Sequence, residues 1–138
     1  MKKESATDYA VGAFRYWAGF GCPTYEEAAA KVRSDAASKY GDRAEFVESA
    51  IADAAPGLYD ILACEVTFRE LEARGESIIC DAVRDVYMVS PARRIRRGEL
   101  SARVRAFACA RYLSERQVYY YLSRARREFL VNRGLRLG

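Results

Sequence analysis

Residues 99–129 read ELSARVRAFACARYLSERQVYYYLSRARREF. Two amphipathic stretches are joined by Arg111, Tyr112 and Leu113, and the second opens on strong helix-start signals. Ser114 is a good N-cap, because a serine oxygen accepts from an orphan N–H of the first turn. Gln117, at the third helical position, gives the S-x-x-Q form of a capping box, and Leu113 with Val118 gives a hydrophobic staple. Val118, Leu122, Ala125 and Phe129 then recur at i, i+4, i+7 and i+11, one stripe of a helix. The stripe is expected to pack on Val104, Ala108 and Ile79. Tyr121 falls beside it, so one of the three consecutive tyrosines goes to the core. The opposite face carries Glu115, Arg116, Tyr119, Tyr120, Ser123, Arg126 and Arg127.

Two helices joined by about three residues, the second well capped, predict a helix-turn-helix. In such units the start of the second helix meets base edges in the major groove, while flanking basic residues hold phosphates. Arginine suits guanine O6 and N7, and glutamate can accept from cytosine N4. The expected base-proximal set, following the cap Ser114, is therefore Glu115, Arg116, Tyr119 and Tyr120. Ser123 shares their face. Arg94, Arg96, Arg97, Arg124, Arg126 and Arg127 form the expected phosphate set.

Working outward, charge is strongly polarised. Residues 91–138 hold 13 arginines, no lysine and three glutamates, a net +10. Residues 1–90 hold 10 Lys and Arg against 16 Asp and Glu, a net −6. A basic end on an acidic remainder points to a polyanionic partner. Arginine rather than lysine suits bidentate contacts, although a genome rich in G and C also favours arginine.

The rest of the chain also reads as helix. Period-two alternation of β-branched residues is absent, and the fold class expected is all-α. Residues 1–7 read as a polar tail. A short aromatic helix follows over 8–20, with Tyr9, Ala13, Trp17 and Phe20 on one stripe. Thr24 and Glu27 form a capping box for a helix to about Tyr40, whose apolar face, Ala28, Val32 and Ala36, is small. Gly41 ends it. A helix over 43–55 is expected to break at Pro56-Gly57. The next spans 58–74 with Leu58, Ile61, Leu62, Glu65, Phe68 and Leu71 in register, closed by Gly75. A helix from Glu76 with Ile79, Val83, Val86 and Tyr87 inward is expected to end at Pro91. PARRIRRG is a basic connector, and Leu100, Val104, Phe107 and Ala108 are the inward positions beyond it. The domains expected are a helical region 1–75, which could dimerise, and a DNA-binding region 76–138.

Other classes are disfavoured. The chain has no histidine, which removes the commonest general base and most catalytic metal sites. Cys22, Cys64, Cys80 and Cys109 are scattered and read as buried reduced thiols. No Gly-rich phosphate loop occurs. No cofactor, no metal and no enzyme activity are expected. No 18-residue apolar run and no signal peptide is visible, so a cytoplasmic protein without a membrane partner is expected.

The segment 76–131 resembles the sigma-region-four type of helix-turn-helix, and among its users is most similar to phage-associated transcriptional regulators of the RinA and ArpU kind. Ser114, Tyr119, Tyr120, Leu122 and Ala125 carry the match. The resemblance implies a phage or prophage regulator of transcription that binds double-stranded DNA. A symmetric dimer would be the usual way for such a protein to gain affinity, so a second copy of the chain is a candidate partner, and RNA polymerase is another. Two departures stand out. Tyr112 occupies a turn position usually taken by glycine, where a left-handed residue costs about 1–2 kcal/mol, so a longer or reshaped turn is expected. The connector 89–98 exceeds a minimal link. The alternatives from other classes are a DNA-packaging subunit like a small terminase, which would form rings, and a module docking on the transcription machinery through its tyrosines.

Overall fold

The computed structural model describes residues 3–135, with side chains from Ala6 onward. Met1 and Lys2 of the expected polar tail, and residues 136–138 at the other end, lie outside the described residues. Six helices and no strands occur among the described residues: α1 Lys3–Gly19, α2 Tyr25–Tyr40, α3 Ala44–Ala73, α4 Ser77–Val86, α5 Glu99–Arg111 and α6 Glu115–Arg133. The chain is all-α.

The tail expected over residues 1–7 is helical from Lys3. Its inward stripe is Ala6, Ala10, Ala13, Phe14 and Trp17, all buried, whereas Phe20 is exposed. Phe14 is the centre of the core. Its ring lies 6.0 Å from Phe68 of α3, 5.4 Å from Phe129 of α6 and 6.4 Å from Tyr87. Such contacts fix helix positions as well as burying area. α2 starts as expected, with the Thr24–Glu27 capping box formed in both directions. Its small apolar face packs chiefly on α3, and Ala28 meets the main core, to which α3 contributes Ile61, Cys64, Phe68 and Leu71.

The expected break at Pro56-Gly57 does not occur: α3 runs through both residues. Pro56 is exposed, and so is Ala52, whose carbonyl loses its usual donor, so water can take that bond. Leu58, Ile61, Cys64, Phe68 and Leu71 are buried on the far side and hold the helix in register. Leu62, expected in that stripe, is at its exposed edge, and Cys64 and Thr67 take the inward places. At Gly57 an added Cβ would sit 2.7 Å from the Tyr16 hydroxyl, the far end of an exposed side chain.

α4 ends at Val86, short of Pro91, but Tyr87 is still buried as expected. The stripe of α6 is as expected, with Val118, Leu122, Ala125 and Phe129 at most 1% exposed. They join Ile79, Val104, Phe107 and Ala108 in one core cluster. That cluster draws residues from both sides of position 75 and so ties α1 and α3 to α4, α5 and α6. Of the cysteines, Cys64 and Cys80 are buried thiols, but Cys22 and Cys109 are exposed, against expectation.

Candidate nucleic-acid interface

Three local devices set the geometry of the basic end. The first is the α5–α6 turn. Tyr112 takes the left-handed conformation, φ 57° and ψ 42°. The turn is therefore the short one, and the expected lengthening is not seen. Leu113 N–H closes it by donating to the Ala108 carbonyl over 2.9 Å. The Tyr112 side chain is 96% exposed, so nothing in its packing offsets the strain.

The second device is the start of α6. The Ser114 oxygen accepts from the Gln117 N–H at 3.1 Å, as expected. The box is not closed, because the Gln117 side chain donates instead to the Tyr121 hydroxyl over 2.9 Å. Tyr121 is half-buried against the core, whereas Tyr119 and Tyr120 stay exposed.

The third device fixes the connector between Val86 and Glu99. Arg15 of α1 donates to the carbonyls of Tyr87 (2.6 Å), Val89 (3.2 Å) and Ser90 (2.9 Å), and to that of Arg93. From the other end, Glu99 accepts from the Arg93 guanidinium at 2.8 Å and from the Arg96 N–H at 3.2 Å. It also pairs with Arg103, which donates to the Val86 carbonyl over 2.8 Å. Charge-assisted bonds of this kind hold the Glu99 carboxyl down to about 2, the Arg93 guanidinium first and the Arg96 N–H second. The basic loop is thus held by side chains from α1 and α5.

Pairing sorts the arginines. Arg93 and Arg103 are bound to Glu99, Arg111 to Asp81 and Arg133 to Asp60. Arg124, expected to hold phosphate, is engaged elsewhere. It donates to Glu76 over 3.0 Å and to Glu128 over 3.3 Å, and Arg74 bridges the same two carboxylates. The pull of Arg124 first, then Arg74, holds Glu76 down to about 2. Arg94, Arg96, Arg97, Arg116, Arg126 and Arg127 have no acidic partner among the described residues. Arg105 on α5 joins them, exposed and equally without one. It stands between Val104 and Ala106, outside the runs of arginine on the connector and α6, so charge clustering does not single it out.

The expected residues are only partly brought together. Arg94, Tyr119 and Arg126 line one cleft, and Arg126 donates to the Tyr87 hydroxyl over 2.5 Å. Arg96 and Arg97 line a shallower depression on the connector itself. Glu115, Arg116 and Tyr120 are exposed on the first turns of α6, Ser123 is half-buried, and Arg127 is exposed one turn further on. Among the described residues, no cluster of ligating side chains suits a metal ion, and no helix is long and apolar enough to cross a membrane.

Compared with known proteins, the chain matches no family model, no curated protein and no solved structure.

Proposed function

We propose that the protein is a sequence-specific double-stranded DNA-binding regulator of transcription. In this reading α5 and α6 act as a helix-turn-helix, and α6 enters the major groove. The supporting observation is the set of seven arginines on the connector, α5 and α6 that have no acidic partner among the described residues. A guanidinium left unpaired while its neighbours are paired is free to neutralise a phosphate or read a guanine. Arg116, Glu115, Tyr119 and Tyr120 on the first turns of α6 are the base-proximal group. Arg94, Arg96, Arg97, Arg105, Arg126 and Arg127 flank them as the phosphate group. The phage origin implied by the resemblance remains part of this proposal, as does a symmetric dimer that would raise affinity, with α1–α3 as the dimerising region.

The test is a fluorescence-anisotropy titration of random-sequence duplex DNA at several salt concentrations. Each neutralised phosphate contributes about −0.9 to the slope of log K against log salt. A slope of about −3 or steeper is expected. No binding at low salt overturns the reading and leaves Tyr112, Tyr119 and Tyr120 as a face for docking on RNA polymerase.

A further inference from the structure

Between α1, the connector and α6 lies a cleft of about 780 Å³. Its size falls in the range of small-molecule sites. Its floor is apolar, built from Val11, Ile95, Leu100, Val104 and Leu122. Half of its lining residues carry polar or charged side chains. Arg126 and Arg94 have no acidic partner among the described residues, and Tyr119 is exposed beside them. Tyr87 is 4% exposed, with its hydroxyl on Arg126. Burial raises the Tyr87 hydroxyl above its ordinary value, so it stays a neutral hydrogen-bonding group. The guanidinium of Arg15 is committed to the connector carbonyls. Asp8 is the one carboxylate on the lining, so the lining as a whole remains positive.

Gly12 adds an independent observation. It sits inside α1, where glycine weakens a helix. An added Cβ there would meet nothing within 4 Å, so packing does not demand a glycine. It lies on the lining of the cleft. A longer side chain at this position would have open space to enter.

We propose that this cleft binds a small amphipathic anion. Its hydrocarbon or aromatic body lies on the apolar floor, and its carboxylate, sulfonate or phosphate head is held by Arg94 and Arg126. A guanidinium without an acidic partner beside apolar surface suits an anion whose body covers that surface, because charge-assisted bonds to the head add to burial of the body. Gly12 admits the body.

The full chain is titrated with 8-anilinonaphthalene-1-sulfonate, followed by its fluorescence, without DNA. One site per chain is expected. Gly12→Leu, which fills the cleft from open space, and Arg126→Gln or Arg94→Gln, which remove a charged donor, should each weaken binding about tenfold or more. Gly12→Ala, which adds a single methyl group in open space, should weaken binding less than Gly12→Leu and should melt at a higher temperature. The neutral N-phenyl-1-naphthylamine should bind about tenfold more weakly than the sulfonate. Circular dichroism verifies that each variant is folded. Unchanged affinity in Gly12→Leu and in both arginine variants overturns the proposal and puts the sulfonate elsewhere, such as the smaller apolar pocket beside Tyr16 and Phe20. Equal affinity for the neutral compound, or no binding at all, also overturns it. Because DNA is absent from the assay, its outcome is separate from that of the DNA reading.

Discussion

The Arg15 guanidinium lies 2.6 Å from the carbonyl oxygen of Tyr87, 72 residues away in the chain, and its remaining donors reach three further carbonyls of the same loop. One side chain of α1 thus satisfies four carbonyls of the connector that follows α4, while Arg103 takes that of Val86, the last residue of α4. Arg15→Ala is expected to destabilise the protein by about 2 kcal/mol, the loss of several bonds to a charged group at a partly exposed site. Arg15→Lys should recover little, because an ammonium cannot span the fork of acceptors. Denaturant unfolding measures the stability. Hydrogen exchange should show faster exchange confined to residues 87–98. Loosening spread evenly over α1 would mean that Arg15 acts through helix packing instead.

Tyr112 holds a left-handed backbone with a side chain that is almost wholly exposed. Tyr112→Gly should therefore raise stability by about 1 kcal/mol, the relief of strain less the greater freedom of the unfolded glycine chain. A shift of the denaturation midpoint to higher denaturant, at unchanged slope, is the expected result. A loss of stability would show that the tyrosine ring makes a contact that offsets the strain. The exposure of an aromatic in a strained turn fits a contact surface, so the same variant should weaken DNA binding under the proposed function.

Arg116 and Arg124 lie two turns apart on α6 but differ in partners. Arg124 is bound to Glu76 and Glu128, and Arg116 has no acidic partner among the described residues. Arg124→Gln is expected to lower the melting temperature, because it leaves two carboxylates beside Arg74 short of a cation. It should leave the salt slope of DNA binding nearly unchanged. Arg127→Gln should do the reverse, reducing the slope by about 1 with little change in stability. Arg116→Ala should relax sequence preference on a selected site, at a cost of about 1–3 kcal/mol. Equal slopes in the Arg124 and Arg127 variants would sink this division of the arginines.

That division was not legible in the sequence. Glu76 meets Arg124 across 48 residues, and Asp60 meets Arg133 across 73. Local patterns report which residues share a helix face, but not which distant charge a face meets. What was legible is local. The Ser114 cap and the Val118 to Phe129 stripe depend on spacing within one helix, and both appear as read. Of the stripe expected in α1, Ala13 and Trp17 are buried and Tyr9 packs on the core, whereas Phe20 is exposed. Spacing does not single out Phe14, whose central place comes from tertiary contact with Phe68 and Phe129. The cleft was invisible for the same reason, since Gly12, Arg94 and Arg126 come from three separate elements.

The acid limb of stability should trace to Glu76 and Glu99. Both carboxyls are held down to about 2, from an ordinary value of 4.5, chiefly by Arg124 on Glu76 and Arg93 on Glu99. A carboxyl depressed in the folded state stabilises fully above its unfolded value, and that contribution is lost as pH falls through the folded value. The melting temperature should hold down to about pH 5 and decline from there to about pH 2. Glu76→Gln combined with Glu99→Gln should melt lower at neutral pH and decline less steeply. A decline parallel to that of the parent would assign the acid limb to other carboxylates.

Pro56 sits inside a 30-residue helix that a proline would ordinarily interrupt. A proline in a helix interior costs about 3 kcal/mol relative to alanine, part of which is returned because it also stiffens the unfolded chain. The exposed setting of Pro56 means that alanine loses no packing there. Pro56→Ala should therefore stabilise the protein by roughly 2 kcal/mol. Gly57 behaves differently. Alanine would gain about 1 kcal/mol of helix propensity, but its Cβ would meet the Tyr16 hydroxyl at 2.7 Å. Tyr16 is 44% exposed and can swing away, so a smaller gain is expected. Unfolding midpoints of the two variants, with and without Tyr16→Phe, separate the effects: Tyr16→Phe should raise the gain from Gly57→Ala and leave that from Pro56→Ala unchanged. A destabilised Pro56→Ala would mean that the proline sets the direction in which the first half of α3 carries α2 away from the core.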